Sequence, residues 1–486
     1  MGKEIKSLEP QSVWGYFYNF TQHPRPSKKE EKIIAYLENL FVKLGVEYKK
    51  DEVGNLAVKK SATKGMENRK SVCIQAHIDM VCEKYKEVDF DFDNDPIQTE
   101  IVDGWVKAKG TTLGADNGMG AAMGLAILES KDIPHPEFEL LLTIDEETGM
   151  TGVIELKDDF ISSDVLINID TEDDHVFSIG CAGGINTTGK YSYEAESVPS
   201  NYSFYNLGIQ GLLGGHSGVQ INEERGNAAK LLTRILLNAS DKFKIRLSSF
   251  DSGSKHNAIP RDANALIAVP IENESKFLEY VKEFDSILKN EYQMNEADIE
   301  AYVIKIDSLN RVMSVGFQRR LLLSFTAIHH GIGRWSTAIE NLVQTSTNFA
   351  IIETKEDRVE VLTSQRSSIH TEKMQMAATV GAAMELAGAV VTYGDGYPSW
   401  EPNLNSAIVK TASDMHEELF GTKPILEVIH AGLECGLIGA KFPKMDMLSF
   451  GPTIKEAHTP EEKIEISTVK NSWDLLLKIL ANMPEK

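Results

Sequence analysis

The chain has 486 residues, with 50 Lys and Arg against 72 Asp and Glu, so its formal net charge is −22. A length beyond roughly 250–300 residues predicts at least two domains, and 42% hydrophobic with 25% charged residues is typical of a globular protein rather than a disordered one. The acidic balance argues against nucleic acid and anionic membranes as partners. The sequence contains no apolar run of about 20 residues, so no transmembrane helix is predicted.

Along the chain, strand-like and helix-like segments alternate, which predicts an α/β fold. The near-continuous apolar runs at 139–144 and 165–169 are typical of parallel strands that are covered by helices on both faces. The predicted strands are 71–76, 139–144, 165–169 and 445–450. The predicted helices are 27–44, 117–130, 224–238, 273–289, 370–387, 404–420 and 466–482.

A middle segment differs from the rest of the chain. Residues 187–388 contain alternating polar and apolar stretches, which are typical of half-exposed strands, and carry a net charge of only −3. The flanking segments together carry −19. We therefore predict a discontinuous first domain, residues 1–186 and 389–486, interrupted by an inserted second domain.

Acidic and imidazole side chains follow the predicted strands, and one acid, Asp116, precedes a predicted helix. They are His77, Asp79, Asp116, Glu146, Glu147, Asp170 and His458. In parallel α/β sheets, ligand sites form at the carboxyl ends of the strands. Two imidazoles with several carboxylates suit a borderline cation such as Zn²⁺. Side chains two apart on a strand share a face, so Asp79 is able to orient His77 or support a metal.

Each of these residues alone also has an ordinary structural interpretation. Asp116 or Asp170 taken singly is more commonly a helix cap or turn residue, and a lone His such as His77 is more commonly structural. Glu146-Glu147 is usually a solvated acidic pair. Adjacent side chains point in different directions, however, so one of them can bind a metal while the other acts as a general base.

Five motifs occur in order: HID at 77–79, GADNG at 114–118, DEETG at 145–149, NID at 168–170 and HTP at 458–460. Together they resemble the dizinc metallopeptidase family of carnosinases, glutamate carboxypeptidases and aminoacylases. AHIDMVCEK, LGADNGMGAAMGLAIL, TIDEETGMTG and HAGLECG resemble in particular its bacterial branch of aminoacyl-histidine dipeptidases. The resemblance covers essentially the whole chain.

The resemblance implies a mixed-sheet catalytic domain with helices on both faces and an inserted α+β lid, here long enough for two tandem α+β halves. It implies two Zn²⁺, with Co²⁺ or Mn²⁺ as substitutes. His77 and Asp170 would bind one metal, Glu147 and His458 the other, and Asp116 both. Asp79 would orient the site and Glu146 would be the general base. A cis peptide bond after Asp116 is also implied.

The inserted segment carries further motifs of this kind. GGHSG at 214–218 resembles the lid motif whose histidine, here His216, supports the substrate carbonyl oxygen as it becomes an oxyanion. Asn257 and Arg366 match substrate-binding lid positions, and the planar fork of Arg suits a C-terminal carboxylate. Gly432 in HAGLECG would allow close backbone approach to the substrate. Weaker candidates are His430 and Glu434, whereas His329-His330 is interpreted as structural.

The resulting prediction is a zinc-dependent dipeptidase that acts on Xaa-His dipeptides, including β-alanyl-histidine, with some breadth. The alternatives are an N-acyl amino-acid deacylase of the same family and a non-catalytic relative that kept the fold. A homodimer is compatible with this prediction but is not required for it. No GxSxG elbow or phosphate-binding loop is present, which argues against other hydrolase and nucleotide-binding classes.

The four cysteines do not indicate a disulfide framework, and the N-terminal residues lack the apolar stretch of a secretory signal. We therefore expect a cytoplasmic protein. Cys82 and Cys435 lack the CxxC spacing of a structural zinc site, and both are predicted to be small buried residues.

Overall fold

The computed structural model describes residues 3–486. These divide into two compact units. The first unit comprises the chain up to Gly180, Pro402–Val428 and Leu433–Lys486, and the second unit comprises Cys181–Glu401 with Ile429–Gly432. The domain boundaries predicted from the sequence, at 186/187 and 388/389, and the division of the insertion into two tandem halves remain predictions.

The first unit is built on a sheet of eight strands. In spatial order the strands are Tyr48–Lys50, Leu56–Lys60, Phe138–Thr143, Val72–His77, Val165–Asn168, Asp446–Ser449, Val176–Cys181 and Ile425–Ile429. The four central strands are parallel to one another. Every residue of Val72–His77, Phe138–Thr143 and Val165–Asn168 is buried, which confirms the prediction of strands covered on both faces.

Helices and a small second sheet complete the first unit. The small sheet contains, in order, Ile454–Lys455, Lys463–Glu465, Trp105–Ala108 and Thr99–Val102. The helices are Gln11–Gln22, Glu31–Leu44, Ala115–Glu129, Glu146–Gly149, Thr151–Glu155, Ala407–Phe420, Glu434–Lys441 and Ile466–Ala481, preceded by a 3₁₀ turn at Lys3–Ser7.

The second unit contains a nine-stranded sheet and four helices. Along the sheet the strands are Glu300–Ile306, Tyr202–Gln210, Ala263–Pro270, Arg246–Ser252, Val343–Thr354, Arg358–Ser367, Gly183–Ser192 and Val390–Tyr393, with Gly331–Trp335 also paired to Val343–Thr354. Two short pairs accompany it, Ala195–Ser197 with Arg311–Met313 and Gly215–His216 with Ala258–Ile259. The helices are Ala228–Phe243, Glu274–Glu291, Val315–Ala327 and His370–Glu385, with 3₁₀ turns at Ile221–Glu223 and Ile271–Asn273.

Local chemistry sets where the helices begin and end. The helix predicted at 27–44 begins only at Glu31, because Lys28 adopts φ +65° and its N–H donates to the Glu30 carboxylate at 2.9 Å. It ends where Gly45 adopts φ +70°, a conformation that glycine reaches without a steric penalty. The helix predicted at 224–238 begins at Ala228, since Asn227 caps it by accepting the N–H of Lys230.

Candidate metal centre and substrate-binding residues

The parallel strands of the first unit bring two of the predicted ligands to one edge of the sheet. His77 is the last residue of Val72–His77, and Asp170 lies two residues beyond the neighbouring strand Val165–Asn168. His77 Nε2 lies 3.6 Å from Asp170 Oδ1. His77 is buried, and its position follows from the register of the two strands.

Asp116 lies between the two imidazoles. Its Oδ1 is 3.0 Å from His77 Nε2, and its Oδ2 is 3.2 Å from His458 Nε2. The residue stands at a kink in the helix Ala115–Glu129, where its φ and ψ of −78° and 114° are not helical, and the Asp116–Asn117 peptide bond is cis. Each oxygen of one carboxylate thus faces a different histidine.

The remaining ligands complete two groups around Asp116. His458 Nε2 lies 3.0 Å from Glu147 Oε2. In His77, Asp116 and Asp170, and again in Asp116, Glu147 and His458, candidate ligand atoms lie within 4.8 Å of one another. Glu147 Oε1 is buried and has no hydrogen-bond partner among the described residues. Three carboxylates and two imidazoles in this arrangement fit a pair of divalent cations of the zinc type.

Hydrogen bonding and burial shift the pKa values of these side chains. Although burial opposes it, hydrogen bonds with His458 and His77 hold the pKa of Asp116 well below its usual range. Hydrogen bonds with Asp116 and Glu147 raise the pKa of His458 to about 11. Burial raises the pKa of Asp170, and the nearby charges of Asp116 and Glu146 act in the same direction. Such crowding of carboxylates favours a bound cation.

Glu146 is not in either of the two Asp116-centred groups. Burial raises its pKa to about 8, with His77 opposing the shift and the charges of Glu434 and Glu147 adding to it. Once ionised, a carboxylate with a raised pKa is a stronger proton acceptor than an ordinary glutamate. Its environment therefore suits the predicted role of general base.

Asp79 connects the first ligand to the predicted base. Its Oδ1 lies 3.3 Å from His77 Nδ1 and accepts the backbone N–H of Glu146 at 3.1 Å. Its Oδ2 accepts the N–H of Glu147 at 3.2 Å and the hydroxyl of Ser27 at 2.8 Å. Burial alone would raise the pKa of Asp79, but the nearby His77 ring and the hydrogen bonds from the Ser27 hydroxyl and the Glu146 N–H lower it to about 2. A fully buried, ionised Asp79 thus orients His77 and anchors both glutamates.

Glu434 was only a weak sequence candidate, and the structure places it under the site. Its Oε2 accepts hydrogen bonds from Gln75 Nε2 at 2.6 Å and from Thr143 Oγ1 at 3.0 Å. Gln75 precedes His77 by two residues, and Thr143 ends the strand before Glu146. Burial raises the pKa of Glu434 to about 7. Gln75 and Thr143 were missed, because they have no distinguishing motif.

His216 lies in the second unit, on the strand Gly215–His216. Its Nδ1 accepts the backbone N–H groups of Gly218 and Val219, each at 3.2 Å. Burial lowers its pKa to about 4, with Arg366 and His256 acting in the same direction. A neutral imidazole whose Nδ1 accepts hydrogen bonds carries its proton on Nε2. His216 is therefore a neutral N–H donor.

Arg366 is a buried cation, with 6% of its surface exposed. Its Nη1 donates to the hydroxyl of Tyr397 at 2.7 Å, and its Nε has no hydrogen-bond partner among the described residues. Among the described residues, no carboxylate oxygen lies within 4.0 Å of the Arg366 guanidinium. A buried guanidinium without a carboxylate partner is suited to an anionic ligand.

Other predicted substrate residues lie near these two in the second unit. The backbone carbonyl of Asn257 accepts the N–H of Ser217 at 2.8 Å. Asn257 also precedes Ala258, the strand partner of His216. Ser346, the strand partner of Arg366, is 2.8 Å from His430 Nε2. A Cβ at Gly432 would lie 2.9 Å from the Tyr397 ring, so a larger residue at this position would require that ring to move.

The remaining sequence interpretations concern histidines and cysteines. His330 Nδ1 lies 3.2 Å from Asn227 Nδ2, and His329 contacts a backbone carbonyl, which fits structural roles. Cys435 is buried as predicted, whereas Cys82 is only half-buried, because it lies in a loop after the strand end. Within residues 3–486 no helix has the length and apolar character needed to cross a membrane.

Comparison with known proteins agrees with this geometry. The model of peptidase family M20/M25/M40 matches residues 73–482, a range that includes all the proposed metal ligands. The chain belongs to this family. Its M20/M25/M40 membership makes it a metallopeptidase and a hydrolase, which confirms the prediction made from the five motifs.

Individual M20/M25/M40 relatives cover the chain from end to end. The cytosol non-specific dipeptidase of Escherichia coli is 37% identical over 483 residues, covering 99% of this chain and 100% of the relative. The crystal structure of aminoacylhistidine dipeptidase from Vibrio alginolyticus superposes with a TM-score of 0.93 at 42% identity, covering 100% of both chains. A tripeptidase from Staphylococcus aureus, with a TM-score of 0.57 at 16% identity and 98% of each chain covered, shares the fold.

Proposed function

We propose that this chain is a dipeptidase that cleaves Xaa-His dipeptides, including β-alanyl-histidine, within a broader dipeptide range. Two full-length relatives support this proposal by their names, one an aminoacylhistidine dipeptidase and the other a non-specific dipeptidase. The breadth of the second relative is the reason for proposing a preference for histidine rather than strict selectivity.

The proposed cofactor is a pair of Zn²⁺ ions, with Co²⁺ or Mn²⁺ as substitutes. His77 and Asp170 would hold one ion, Glu147 and His458 the other, and Asp116 both. The observation that carries this proposal is the Asp116 carboxylate, whose two oxygens lie 3.0 and 3.2 Å from two different imidazoles. When bound, two such ions would polarise the substrate carbonyl and acidify the attacking water.

The protein side chains would handle the protons. Glu146 takes a proton from the attacking water and later passes one to the leaving amine, a role that its raised pKa supports. Asp79 holds the backbone of Glu146 and the ring of His77 in place through its buried carboxylate. General-base catalysis of this kind contributes about 10²–10⁴-fold to a rate.

Substrate-binding roles are also proposed for four residues of the second unit. His216 donates a hydrogen bond from its Nε2–H to the carbonyl oxygen as negative charge develops there. Arg366 binds the C-terminal carboxylate through two parallel hydrogen bonds, while Asn257 and Gly432 contact the substrate. A homodimer is compatible with the proposal but is not required by it.

A substrate panel tests the proposal. The purified protein is stripped with a chelator, reloaded separately with Zn²⁺, Co²⁺ and Mn²⁺, and assayed with β-alanyl-histidine, other dipeptides and N-acetylated amino acids. We expect turnover of dipeptides and none without metal. Turnover of the N-acetylated compounds alone would identify a deacylase, and no turnover of any compound in the metal-loaded protein would favour a non-catalytic relative.

A cytoplasmic location is part of the proposal. It is supported by the name of the Escherichia coli relative and by a cysteine content of four, too low to indicate a disulfide framework in a chain of this length. Fractionation of the source cells with compartment markers tests it, since recovery outside the cytoplasmic fraction would contradict it.

A further inference from the structure

The loop that precedes Asp116 is bound by a single buried carboxylate. Glu462 Oε2 accepts the backbone N–H groups of Leu113 at 2.8 Å and Gly114 at 3.0 Å, and its Oε1 accepts that of Ala115 at 2.7 Å. The N–H of Asp116 lies 3.4 Å from the same Oε1. Glu462 is 2% exposed. Consecutive N–H groups that converge in this way form a concave anion site, which here a carboxylate of the same chain fills.

A buried cation holds the same loop through its carbonyl group. Arg25 Nη2 donates to the Gly114 carbonyl, and Nη1 donates to the carbonyls of Ile78 at 3.1 Å and Asp79 at 2.6 Å. Gly114 has φ +69°, and a Cβ there would lie 2.3 Å from Arg25 Nη2. Only glycine satisfies both the backbone conformation and this close approach.

Glu462 also belongs to the segment that carries His458. Three residues separate the two, and hydrogen bonds from Thr459 N–H to the Glu456 carbonyl and from Glu462 N–H to the Thr459 carbonyl close the turns of this segment. Glu462 is not a member of any cluster in which candidate metal-ligating atoms converge among the described residues. Its two oxygens are instead fully used in binding the loop of Asp116.

We propose that Glu462 is a positioning residue that joins the Asp116 loop to the His458 segment and holds these two ligands at metal-binding separation before any metal is bound. The proposal rests on the ligand set given under Proposed function. Residues that orient metal ligands typically contribute about 10–100-fold to metal affinity. Glu462 is expected to contribute on that scale, because it fixes one ligand shared by both proposed ions.

The Glu462→Gln variant tests the assignment against a matched control, Glu139→Gln. Glu139 is also a buried carboxylate of the first unit, and it accepts hydrogen bonds from Ser162 N–H and from the hydroxyls of Ser162 and Ser163. Glutamine keeps the size of the side chain but turns an NH₂ group toward N–H donors. Zn²⁺ affinity is measured by competition with a chromogenic chelator, and amide hydrogen exchange at 113–115 is measured in the metal-free proteins.

We expect Glu462→Gln to bind Zn²⁺ about 10–100-fold more weakly and to exchange the amides at 113–115 faster, while Glu139→Gln changes neither. Wild-type affinity in Glu462→Gln would overturn the proposal. If that variant does not fold, the metal-free wild type decides, since unprotected amides at 113–115 would show that the loop is not held before metal binding. Asp116→Ala tests the ligand set separately. Wild-type Zn²⁺ affinity in that variant would show that the proposed ligand set itself is wrong.

Discussion

The carboxylate of Asp79 accepts the backbone N–H of Glu146 at 3.1 Å, although the two residues belong to different parts of the chain. The same carboxylate faces the ring of His77, so the predicted base and the first predicted ligand share one buried anchor. Because the anchor holds the backbone of Glu146, the Glu146 side chain remains free to exchange protons.

Replacement of Glu146 by glutamine tests this arrangement. The amide retains the size of the carboxylate but cannot take a proton from water, so we expect kcat for dipeptides to fall about 10²–10⁴-fold with metal content unchanged. Steady-state kinetics with metal analysis by mass spectrometry check both parts. Wild-type kcat would refute the general-base role, and loss of metal would instead indicate that Glu146 is a ligand.

His458 is expected to be needed for one of the two ions only. His458→Ala removes one member of the Asp116, Glu147 and His458 group, so the metal content should fall from about two to about one equivalent per chain. Equilibrium dialysis followed by metal analysis measures this. His370→Ala, which changes an exposed histidine, should retain both equivalents. Two tightly bound equivalents in His458→Ala would exclude His458 as a ligand.

Arg366 is expected to recognise a carboxylate by geometry as well as by charge. Arg366→Lys retains the charge but loses the planar fork, so we expect KM for dipeptides to rise by about tenfold or more. Dipeptide amides, which lack the C-terminal carboxylate, should be affected much less. The comparison requires kcat and KM for one dipeptide and its amide with both proteins, and an equal rise in KM for the two substrates would contradict carboxylate binding.

Acid is expected to destabilise the chain through His430. Burial lowers the pKa of His430 to about 3, with Arg366 and His216 acting in the same direction, whereas an unfolded histidine titrates near 6.5. Between these values the unfolded state binds the additional proton, so stability falls as the pH drops from about 6.5 toward 3. Above 6.5 the imidazole is neutral in both states and contributes no pH dependence.

Thermal unfolding in excess chelator between pH 7 and pH 4 measures this effect without interference from metal release. The loss of stability on acidification should be shallower in His430→Gln than in the wild type. The exposed-site variant His370→Gln should follow the wild type. Parallel curves for His430→Gln and wild type would contradict the assignment.

The sequence by itself determined the fold class and the set of proposed ligands. His77 and Asp170 follow buried apolar runs, and the carboxyl ends of parallel strands meet at one edge of a sheet, so the convergence of their side chains follows from order along the chain. The ligand roles of Asp116, Glu147 and His458 were recognisable through the resemblance of their motifs to a metallopeptidase family.

Only the tertiary structure decided which residues hold those ligands in place. Glu462 binds amides that lie some 350 positions earlier in the chain, Arg25 binds carbonyls of two separate loops, and Glu434 meets Gln75 across 359 positions. No periodicity or spacing in the sequence identifies the hydrogen-bond partners of these residues. Their roles arise because backbone N–H and C=O groups in buried loops must be paired, and the identity of the partner depends on which side chains folding brings within hydrogen-bond distance.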